Sequence, residues 1–261
     1  MNRYLISKGW EGFADRLQCL SYCIVSAKRF NRILYVDWTD TIWGEGFYKY
    51  FNFVDLPHVI QDIEIPPSLD IYPKKWQHRL MQPSGDWTYD IKEELEFEPM
   101  KGKHFEEIWV YSGIGYREWD MIELAKHLRL NKPIAKLVQE IQKEVNLPVV
   151  HLRGTDRAFK EENWKELRDK VSVALIISDD SKLTRRWMDE SPKSKILSEP
   201  IEGMNHKSLI NKHKMNIALI TDFFVLASAK ETYALNEDSC FYKMARVLYE
   251  CEDLKKIFKE I

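Results

Sequence analysis

The sequence contains few cysteines and few glycines, and neither sign of charge is in excess. Its 261 residues include 4 Cys and 10 Gly. Four cysteines are too few for a disulfide scaffold, so we expect reduced thiols and a cytoplasmic protein. Lys and Arg total 39 against 41 Asp and Glu, which gives a formal charge of -2. This balance argues against nucleic-acid binding through bulk charge.

Long hydrophobic runs are also missing. No apolar run approaches the ~18–20 residues needed to span a bilayer. The first residues lack the apolar stretch and small-residue cleavage site of a secretion signal, so we expect none. Hydrophobic residues at 44% and charged residues at 31% are typical of an ordinary globular protein. At ~100–200 residues per domain, the length fits one large domain or two small ones.

The first half predicts a helix followed by a buried strand. Residues 13–30 carry apolar side chains at helical spacing, and residues 33–36 form a short β-branched and aromatic run. That succession is typical of a parallel α/β sheet. The stretch 55–105 is interrupted by prolines and is expected to be irregular. Further predicted elements are a strand at 107–111 and helices at 118–130 and 133–145.

The second half alternates more strictly, and we assign the chain to the α/β class. Asn146-Leu147-Pro148 is a plausible hinge, which predicts an N-terminal domain at 1–146 and a C-terminal domain at 147–261. The predicted strands of the second half are 149–152, 171–177 and 195–197. Its predicted helices are 160–170, 181–190, 212–229 and 239–250.

Polar residues follow these strands at the edge where open α/β sheets bind ligands. His151, Arg153 and Arg157 follow the first strand of the second half. Guanidinium forks suit phosphate oxygens, although a surface salt-bridge cluster is the alternative. Asp179 and Asp180 follow the next buried strand. They could bind ribose hydroxyls or a divalent cation, or they could cap the helix that follows.

A third polar group, Asp238-Ser239, opens the last long helix. Backbone N–H groups at a helix N-terminus bind phosphate, and Ser239 adds a hydroxyl; simple capping is again the alternative. Cys19 and Cys23 lie on one face of the first predicted helix. They could ligate a metal, but no second pair completes a site, so we expect buried thiols.

Taken in this order, the three groups resemble the motifs of the inverting fucosyltransferases that use GDP-fucose. This superfamily includes the bacterial nodulation fucosyltransferases, the α1,6-fucosyltransferases of N-glycans and the protein O-fucosyltransferases. Residues 151–157 read H-L-R-G-T-D-R, similar to the family motif H-x-R-R-T-D-[KR]. Ser178-Asp179-Asp180 is similar to a family strand ending in [ST]-D-D. The third family motif is matched by Asp222-Phe223, residues 226–229, Asp238-Ser239 and Ala245.

The opening of the chain carries the resemblance as well. Residues 9–16 and 33–38 are similar to the family's G-x-G-x-x-x-x-L turn and its strand ending in D-W. In all, the resemblance covers residues ~5–50 and ~147–250. It implies the GT-B glycosyltransferase fold, in which two Rossmann-like domains face each other across a cleft. It also implies a nucleotide held by the C-terminal half, and metal-independent transfer with inversion, GDP-fucose being a substrate and no cofactor being needed.

Site residues follow from the resemblance position by position. Arg153 matches the arginine on the diphosphate, His151 a nucleotide-contacting histidine, and Asp222 the aspartate that reads the guanine edge. Ser239 matches the serine at the start of the phosphate-binding helix. Arg157 falls on the motif's basic position, and Glu161 falls where the α1,6 enzymes place a glutamate proposed as general base. The resemblance also places an N-terminal loop near donor and acceptor, formed here by Gly9, Gly12, Arg16 and Asp37.

One departure from the family's first motif leaves alternatives to fucosyl transfer open. Gly154 stands where the family has a second arginine, although Arg157 could supply the missing charge. A transferase of the same fold for another nucleotide sugar, or a nucleotide- or glycan-binding protein without catalysis, is therefore an alternative. Glu162 and Asp37 are the alternatives to Glu161 as base.

The expected partners are a GDP-sugar donor and a glycan or lipid-linked glycan acceptor, and no nucleic acid. Tryptophans could stack on sugar rings, with core packing as the alternative. The candidates are Trp38, Trp43, Trp76 and Trp87. The basic segment 182–214 could give weak membrane-surface association through anionic lipid-linked acceptors, or it could be a solvated face.

Overall fold

The computed structural model of the protein describes residues 2–9, 12–39, 43–61, 69–80, 105–112, 120–144, 146–154, 159–200 and 211–259. Its contacts divide the chain into two units. The first is Met1–Asn131 together with Lys255–Ile261, and the second is Lys132–Leu254.

The first unit is built on a parallel sheet of five strands in the order β4-β2-β1-β6-β5. These strands are β1 (Tyr4–Lys8), β2 (Ile33–Asp37), β4 (Val59–Ile60), β5 (Ile71–Tyr72) and β6 (Ile108–Tyr111). A separate antiparallel pair joins β3 (Phe51–Phe53) to β7 (Leu128–Leu130). The helices are α1 (Phe13–Phe30) and α2 (Asp120–His127), which pack together, and a short α8 (Leu254–Ile257) follows near the end of the chain.

Helix α1 forms as predicted because its apolar positions recur on the helical period and cover the sheet. It ends at Asn31, whose φ of 48° is left-handed and whose N–H reaches back to the carbonyl of Lys28. The helix predicted over 118–130 is shorter than expected. It stops at His127 because Leu128–Leu130 pairs with β3 instead.

The second unit holds a parallel sheet of four strands in the order β10-β9-β8-β11. They are β8 (Val149–Leu152), β9 (Leu175–Ser178), β10 (Lys195–Ile196) and β11 (Thr232–Ala234). The helices are α3 (Lys132–Glu144), α4 (Glu161–Lys170), α5 (Ser181–Glu190), α6 (Lys212–Ser228) and α7 (Cys240–Tyr249). The strand predicted from residue 171 begins only at Leu175, because the N–H of Val171 still bonds to Leu167 at the end of α4.

In each sheet the chain first adds strands on one side of its first strand and later adds strands on the other side. From β8 the chain adds β9 and β10 on one side and later adds β11 on the other. In the first unit, β2 and β4 lie on one side of β1, and β6 and β5 on the other. Such topological switch points are where open α/β sheets bind ligands, outside the carboxyl ends of the strands. The two switch points are therefore at β8/β11 and at β1/β6.

The predicted α/β class with two Rossmann-like halves is confirmed. The division between the units lies at residue 131, whereas the sequence predicted a boundary at 146. The difference is α3, which packs against α6 of the second unit.

Candidate functional site

The switch point of the second unit lies where β8 meets the first turn of α7. His151, near the end of β8, is buried, and its ring centroid lies 5.4 Å from that of Phe241 and 6.4 Å from that of Tyr242. The rings are nearly parallel, at 16° and 11°. Because Phe241 and Tyr242 open α7, the end of β8 and the N-terminus of α7 belong to one site.

His151 is a neutral imidazole. Burial, and to a smaller extent the positive charge of Arg153, lower its pKa to about 3. Its Nδ1 is buried and accepts or donates no hydrogen bond among the residues described. The ring can therefore exchange a hydrogen bond with a ligand but carries no charge at neutral pH.

Arg153 leaves the end of β8 and is held by Asp179, which follows the neighbouring strand β9. Nη1 of Arg153 lies 3.0 Å from Oδ2 of Asp179, and Oδ1 of the same carboxylate accepts from the N–H of Gly154 at 2.9 Å. The Arg153 side chain is 30% exposed. A guanidinium has five N–H donors, so pairing with one carboxylate is compatible with binding a phosphate. Asp179, predicted to contact the nucleotide, positions Arg153.

Asp180 is the N-cap of α5. Its Oδ1 accepts from the backbone N–H of Lys182 at 2.8 Å and of Leu183 at 2.9 Å. The capping alternative is thus confirmed for Asp180. A side chain at position 154 would collide with this cap. A Cβ on Gly154 would lie 2.5 Å from Oδ2 of Asp180 and 2.5 Å from Cδ1 of Leu183.

Ser239 is the residue before α7 and is buried, but its hydroxyl caps no N–H of the helix. The simple capping alternative is therefore wrong for Ser239. The first turn of α7 has its N–H groups at the positive end of the helix dipole. Backbone N–H groups at such a helix end can bind an anion.

Asp222 lies within α6 and is buried. Burial raises the pKa of its carboxyl to about 7, although a hydrogen bond from Ser198 lowers it in part. Ser198 was not predicted as a site residue. It follows a strand of only two residues, and nothing in the sequence connects it to a residue on α6.

The predicted base, Glu161, is the first residue of α4 and is exposed. Both carboxylate oxygens accept from Arg186, at 2.7 Å and 2.8 Å. This fork lowers the pKa of Glu161. Arg157, predicted alongside it, lies outside the described residues.

In the first unit, the predicted loop residues contribute to a buried cluster. Asp37 pairs with Lys8, the residue opposite it in β1, and accepts from the N–H of Thr39 at 3.0 Å. The guanidinium carbon of Arg16, a fully buried residue, lies 5.2 Å from the ring centroid of Trp43. The remaining two predicted residues are Gly9, which follows β1, and Gly12, which precedes α1.

The two glycines have different surroundings. The N–H of Gly9 donates to the carbonyl of Asp37 at 2.8 Å. A Cβ on Gly9 would lie 3.0 Å from Cα of Trp38 and would overlap the Arg16 guanidinium, so the position has no room for a side chain. Gly12 is the exposed N-cap residue of α1.

Three predicted acceptor residues belong to the core. Trp38, Trp43 and Trp76 are 0%, 2% and 0% exposed, so the core-packing alternative is confirmed for them. Trp87 lies outside the described residues. Cys19 and Cys23 are free and buried, as predicted.

Neither a metal cluster nor a membrane helix occurs in the part of the chain that the structure describes. No group of three or more His, Cys, Asp and Glu side chains there could hold a metal ion. No helix there is long and apolar enough to cross a bilayer.

No protein-family model and no curated protein sequence matches the chain. Solved structures do. The fucosyltransferase NodZ from Bradyrhizobium is 15% identical and superposes with a TM-score of 0.70, over 95% of this chain and 92% of that one. NodZ α-1,6-fucosyltransferase soaked with GDP-fucose is also 15% identical, with a TM-score of 0.68 over 95% and 93% of the two chains.

A more distant structure is a variant of Arabidopsis thaliana FUT1 in complex with GDP. It is 11% identical, with a TM-score of 0.54 over 96% of this chain and 69% of that one. The likeness to NodZ extends over nearly the whole of both chains. The resemblance seen in the sequence is therefore confirmed at the level of the fold: this chain has the Rossmann-like GT-B fold of the NodZ fucosyltransferases.

Proposed function

We propose that the protein transfers fucose from GDP-fucose to a hydroxyl of a glycan, with inversion at the sugar carbon. The observation that supports this most is the β8/β11 switch point, where His151 of β8 stacks on Phe241 in the first turn of α7 and Arg153 leaves the end of β8 beside Asp179. A guanidinium and helix N–H groups are the donors that proteins use for phosphate oxygens. NodZ, which shares the fold, has been crystallised with GDP and with GDP-fucose.

The diphosphate end of the site stabilises the leaving group. Glycosyl transfer passes through an oxocarbenium-like sugar while negative charge builds on the departing GDP. Arg153 is oriented by Asp179 before the donor binds, so its guanidinium need not reorganise during the reaction. A preorganised donor of this kind contributes about 3–4 kcal/mol to the transition state. Because this charge is assigned to Arg153 and α7, we expect activity to persist in EDTA.

The nucleobase end of the site is Asp222. An ionised carboxylate accepts from both the N1–H and the 2-amino group of guanine, a pair of donors that uracil and adenine do not present. A buried carboxylate needs such partners, because its ionised form is costly away from water. Its raised pKa of about 7 fits a group that becomes fully ionised only when donors arrive.

The acceptor hydroxyl must lose a proton on the face of the sugar opposite GDP, and Glu161 is our candidate base. Its fork to Arg186 lowers its basicity, so an acceptor must displace Arg186 for Glu161 to act. Glu161→Gln is expected to lower turnover by about 10²–10⁴-fold, the usual effect of losing a general base. Arg186→Ala raises the pKa of Glu161 and moves the acidic limb of the pH–rate profile to higher pH.

Two alternatives to Glu161 can be separated from it. Glu162→Gln, in the same turn of α4, tests the first: if it slows transfer and Glu161→Gln does not, Glu162 is the base. If neither glutamine variant slows transfer and Arg186→Ala leaves the profile in place, Glu161 is not the base. Asp37 is then the next candidate, although its ion pair with Lys8 must open first.

The acceptor is assigned by class, as a glycan or lipid-linked glycan. The buried tryptophans of the first unit do not bind it. Weak association with a membrane surface through the basic segment 182–214 stays a prediction.

The test is transfer of labelled fucose from GDP-fucose to a panel of free and lipid-linked glycans, with and without EDTA. GDP-mannose and UDP-glucose serve as competing donors. We expect fucosylation of one class of acceptor, unaffected by EDTA. Transfer from another donor would identify a different sugar specificity, and binding of GDP without transfer or hydrolysis would identify a binding protein. Loss of activity in EDTA that manganese restores would contradict the metal-independent mechanism.

A further inference from the structure

We infer that Ser198 is a positioning residue for nucleobase recognition, whose hydroxyl holds the Asp222 carboxylate in the orientation that reads the guanine edge. The inference rests on the proposed function, since it concerns the nucleotide part of the donor site. It extends that site to a residue that follows β10, the edge strand of the second sheet.

Ser198 lies at the same sheet edge as the diphosphate residues. It comes two residues after β10, which runs parallel to β9. The N–H of Leu197 still donates to the carbonyl of Ile176 at 2.9 Å, so the chain follows the sheet up to the residue before Ser198. Because parallel strands end at one edge, Ser198 emerges on the edge that also carries Arg153 and Asp179.

The hydroxyl of Ser198 connects α6 to this edge. It donates to Oδ1 of Asp222, and Ser198 is half-buried. Among the residues described, Ser198 is the residue whose side chain donates a hydrogen bond to the Asp222 carboxylate. A carboxylate offers about four lone-pair sites, so one bond at Oδ1 leaves acceptor capacity for two guanine donors. Fixing one oxygen also removes rotational freedom that nucleotide binding would otherwise have to restrict.

The same bond favours the ionised carboxylate. In the described part of the chain, burial raises the pKa of Asp222 and Ser198 lowers it, and no charged side chain contributes to the shift. The neighbouring ring of Phe223 packs on Phe241, which brings no charge. Removing the hydroxyl therefore leaves fewer molecules with an ionised carboxylate at neutral pH.

The experiment measures dissociation constants of GDP and inosine diphosphate, which lacks the 2-amino group, for the full chain between pH 6 and 9. Ser198→Ala is expected to weaken GDP about 10-fold at pH 7, the effect of one hydrogen bond to a charged group. Its preference for GDP over inosine diphosphate should shrink. The pH at which GDP affinity is half lost should move upward.

Two further variants keep the test specific. Ser198→Thr keeps the hydroxyl and should bind GDP within about 3-fold of the parent, given the spread of hydrogen-bond energies. Ser228→Ala is the matched control on α6, because its hydroxyl donates within the helix, to the carbonyl of Phe224 at 2.6 Å. It should leave GDP affinity and its pH dependence unchanged. Thermal unfolding midpoints identify any variant that fails to fold.

The outcomes separate the inference from the proposed function. If the parent protein binds GDP selectively and Ser198→Ala keeps its affinity, base preference and pH profile, the inference is overturned and the function stands. Equal losses in the alanine and threonine variants, both folded, would also overturn it, because the hydroxyl would not be responsible. If the parent does not bind GDP, the proposed function fails and the inference fails with it.

Discussion

In the described part of the chain, the two sheets end in charged residues at equivalent places, and the two charged pairs differ in their exposure to solvent. At the β1/β6 switch point, the side chains of Lys8 and Asp37 are 1% and 4% exposed and pair with each other. At the β8/β11 switch point, the side chains of Arg153 and Asp179 are 30% and 16% exposed. The Lys8 ammonium of the first pair also lies 5.0 Å from the ring centroid of Trp76.

This difference separates stability from ligand binding. A buried ion pair is costly to break because one charge is left without a partner. A half-exposed arginine oriented by a neighbouring carboxylate keeps access to solvent and to an arriving anion. In the proposed function, donor binding therefore belongs to the second unit's edge, and the first unit's pair has a structural role.

The largest expected effect is at Arg153. Arg153→Ala should lower turnover by about 10²–10³-fold, the loss found on removing one preorganised donor, and should weaken GDP binding without unfolding the protein. Arg246→Ala is the matched control, since Arg246 on α7 is 27% exposed and pairs with Glu250, the residue that follows the helix. If the activity of Arg153→Ala stays within a few-fold of that of the control, the claim that the second unit's edge binds the donor would be contradicted.

The second effect tests the first unit's pair. Lys8→Met leaves Asp37 buried without its partner and should destabilise the fold by about 3–5 kcal/mol in denaturant unfolding. The double variant Lys8→Met/Asp37→Leu should recover most of this and still bind GDP. A double variant that folds as well as the parent but no longer binds GDP would contradict this account, because the first unit's edge would then take part in donor binding.

The third prediction is that replacing Asp222 stabilises the fold at pH 8 and removes the preference for guanine. Its folded pKa of about 7 lies above the ordinary 3.8, so the folded state holds a proton that the unfolded state releases between these values. Stability therefore falls as pH rises from about 4 to 7. Asp222→Asn should raise the free energy of unfolding at pH 8 by up to about 4 kcal/mol, and should do little near pH 4.

The same variant should lose its preference for guanine nucleotides. Denaturant unfolding at both pH values, together with GDP and UDP affinities, checks the pair of effects. A variant less stable than the parent at pH 8, or one that still prefers GDP, would show that Asp222 is not a buried carboxylate reserved for the base.

The fourth prediction concerns His151. Its pKa of about 3 lies below the ordinary 6.5, so the folded protein keeps a neutral ring while the unfolded chain takes up a proton. Stability should decline as pH falls from 6.5 toward 3. In NMR spectra, the ring signals of His151 should not move between pH 8 and 5. A midpoint near 6.5 would mean that the ring is not enclosed between β8 and α7.

The sequence predicted the elements whose patterns are local. Helix α1 and strand β2 were found because one has a long apolar period and the other a β-branched run. Strand β1 was missed although it is central, because both of its faces are covered and Ser7 and Lys8 interrupt its apolar run. Ser7 and Lys8 are buried because β1 lies between two other strands of the sheet. A local sequence pattern does not show which strands will be neighbours.

The roles of the candidate site residues stay predictions, and the sequence did not predict their pairings. The structure brings His151 of β8 against Phe241 in the first turn of α7. The bond from Ser198 to Asp222 and the fork from Arg186 to Glu161 depend on the packing of separate elements. No spacing in the sequence encodes such contacts.

Titration calorimetry of the unmodified protein with GDP, UDP and ADP tests the central claim most directly. We expect GDP to bind at least about 10-fold more tightly than UDP or ADP, because only guanine offers two donors to Asp222. Arg153→Ala should weaken GDP, whereas Arg246→Ala should not. Equal affinities for the three nucleotides, or no binding of GDP, would contradict the assignment of the second unit's edge to a GDP-sugar donor.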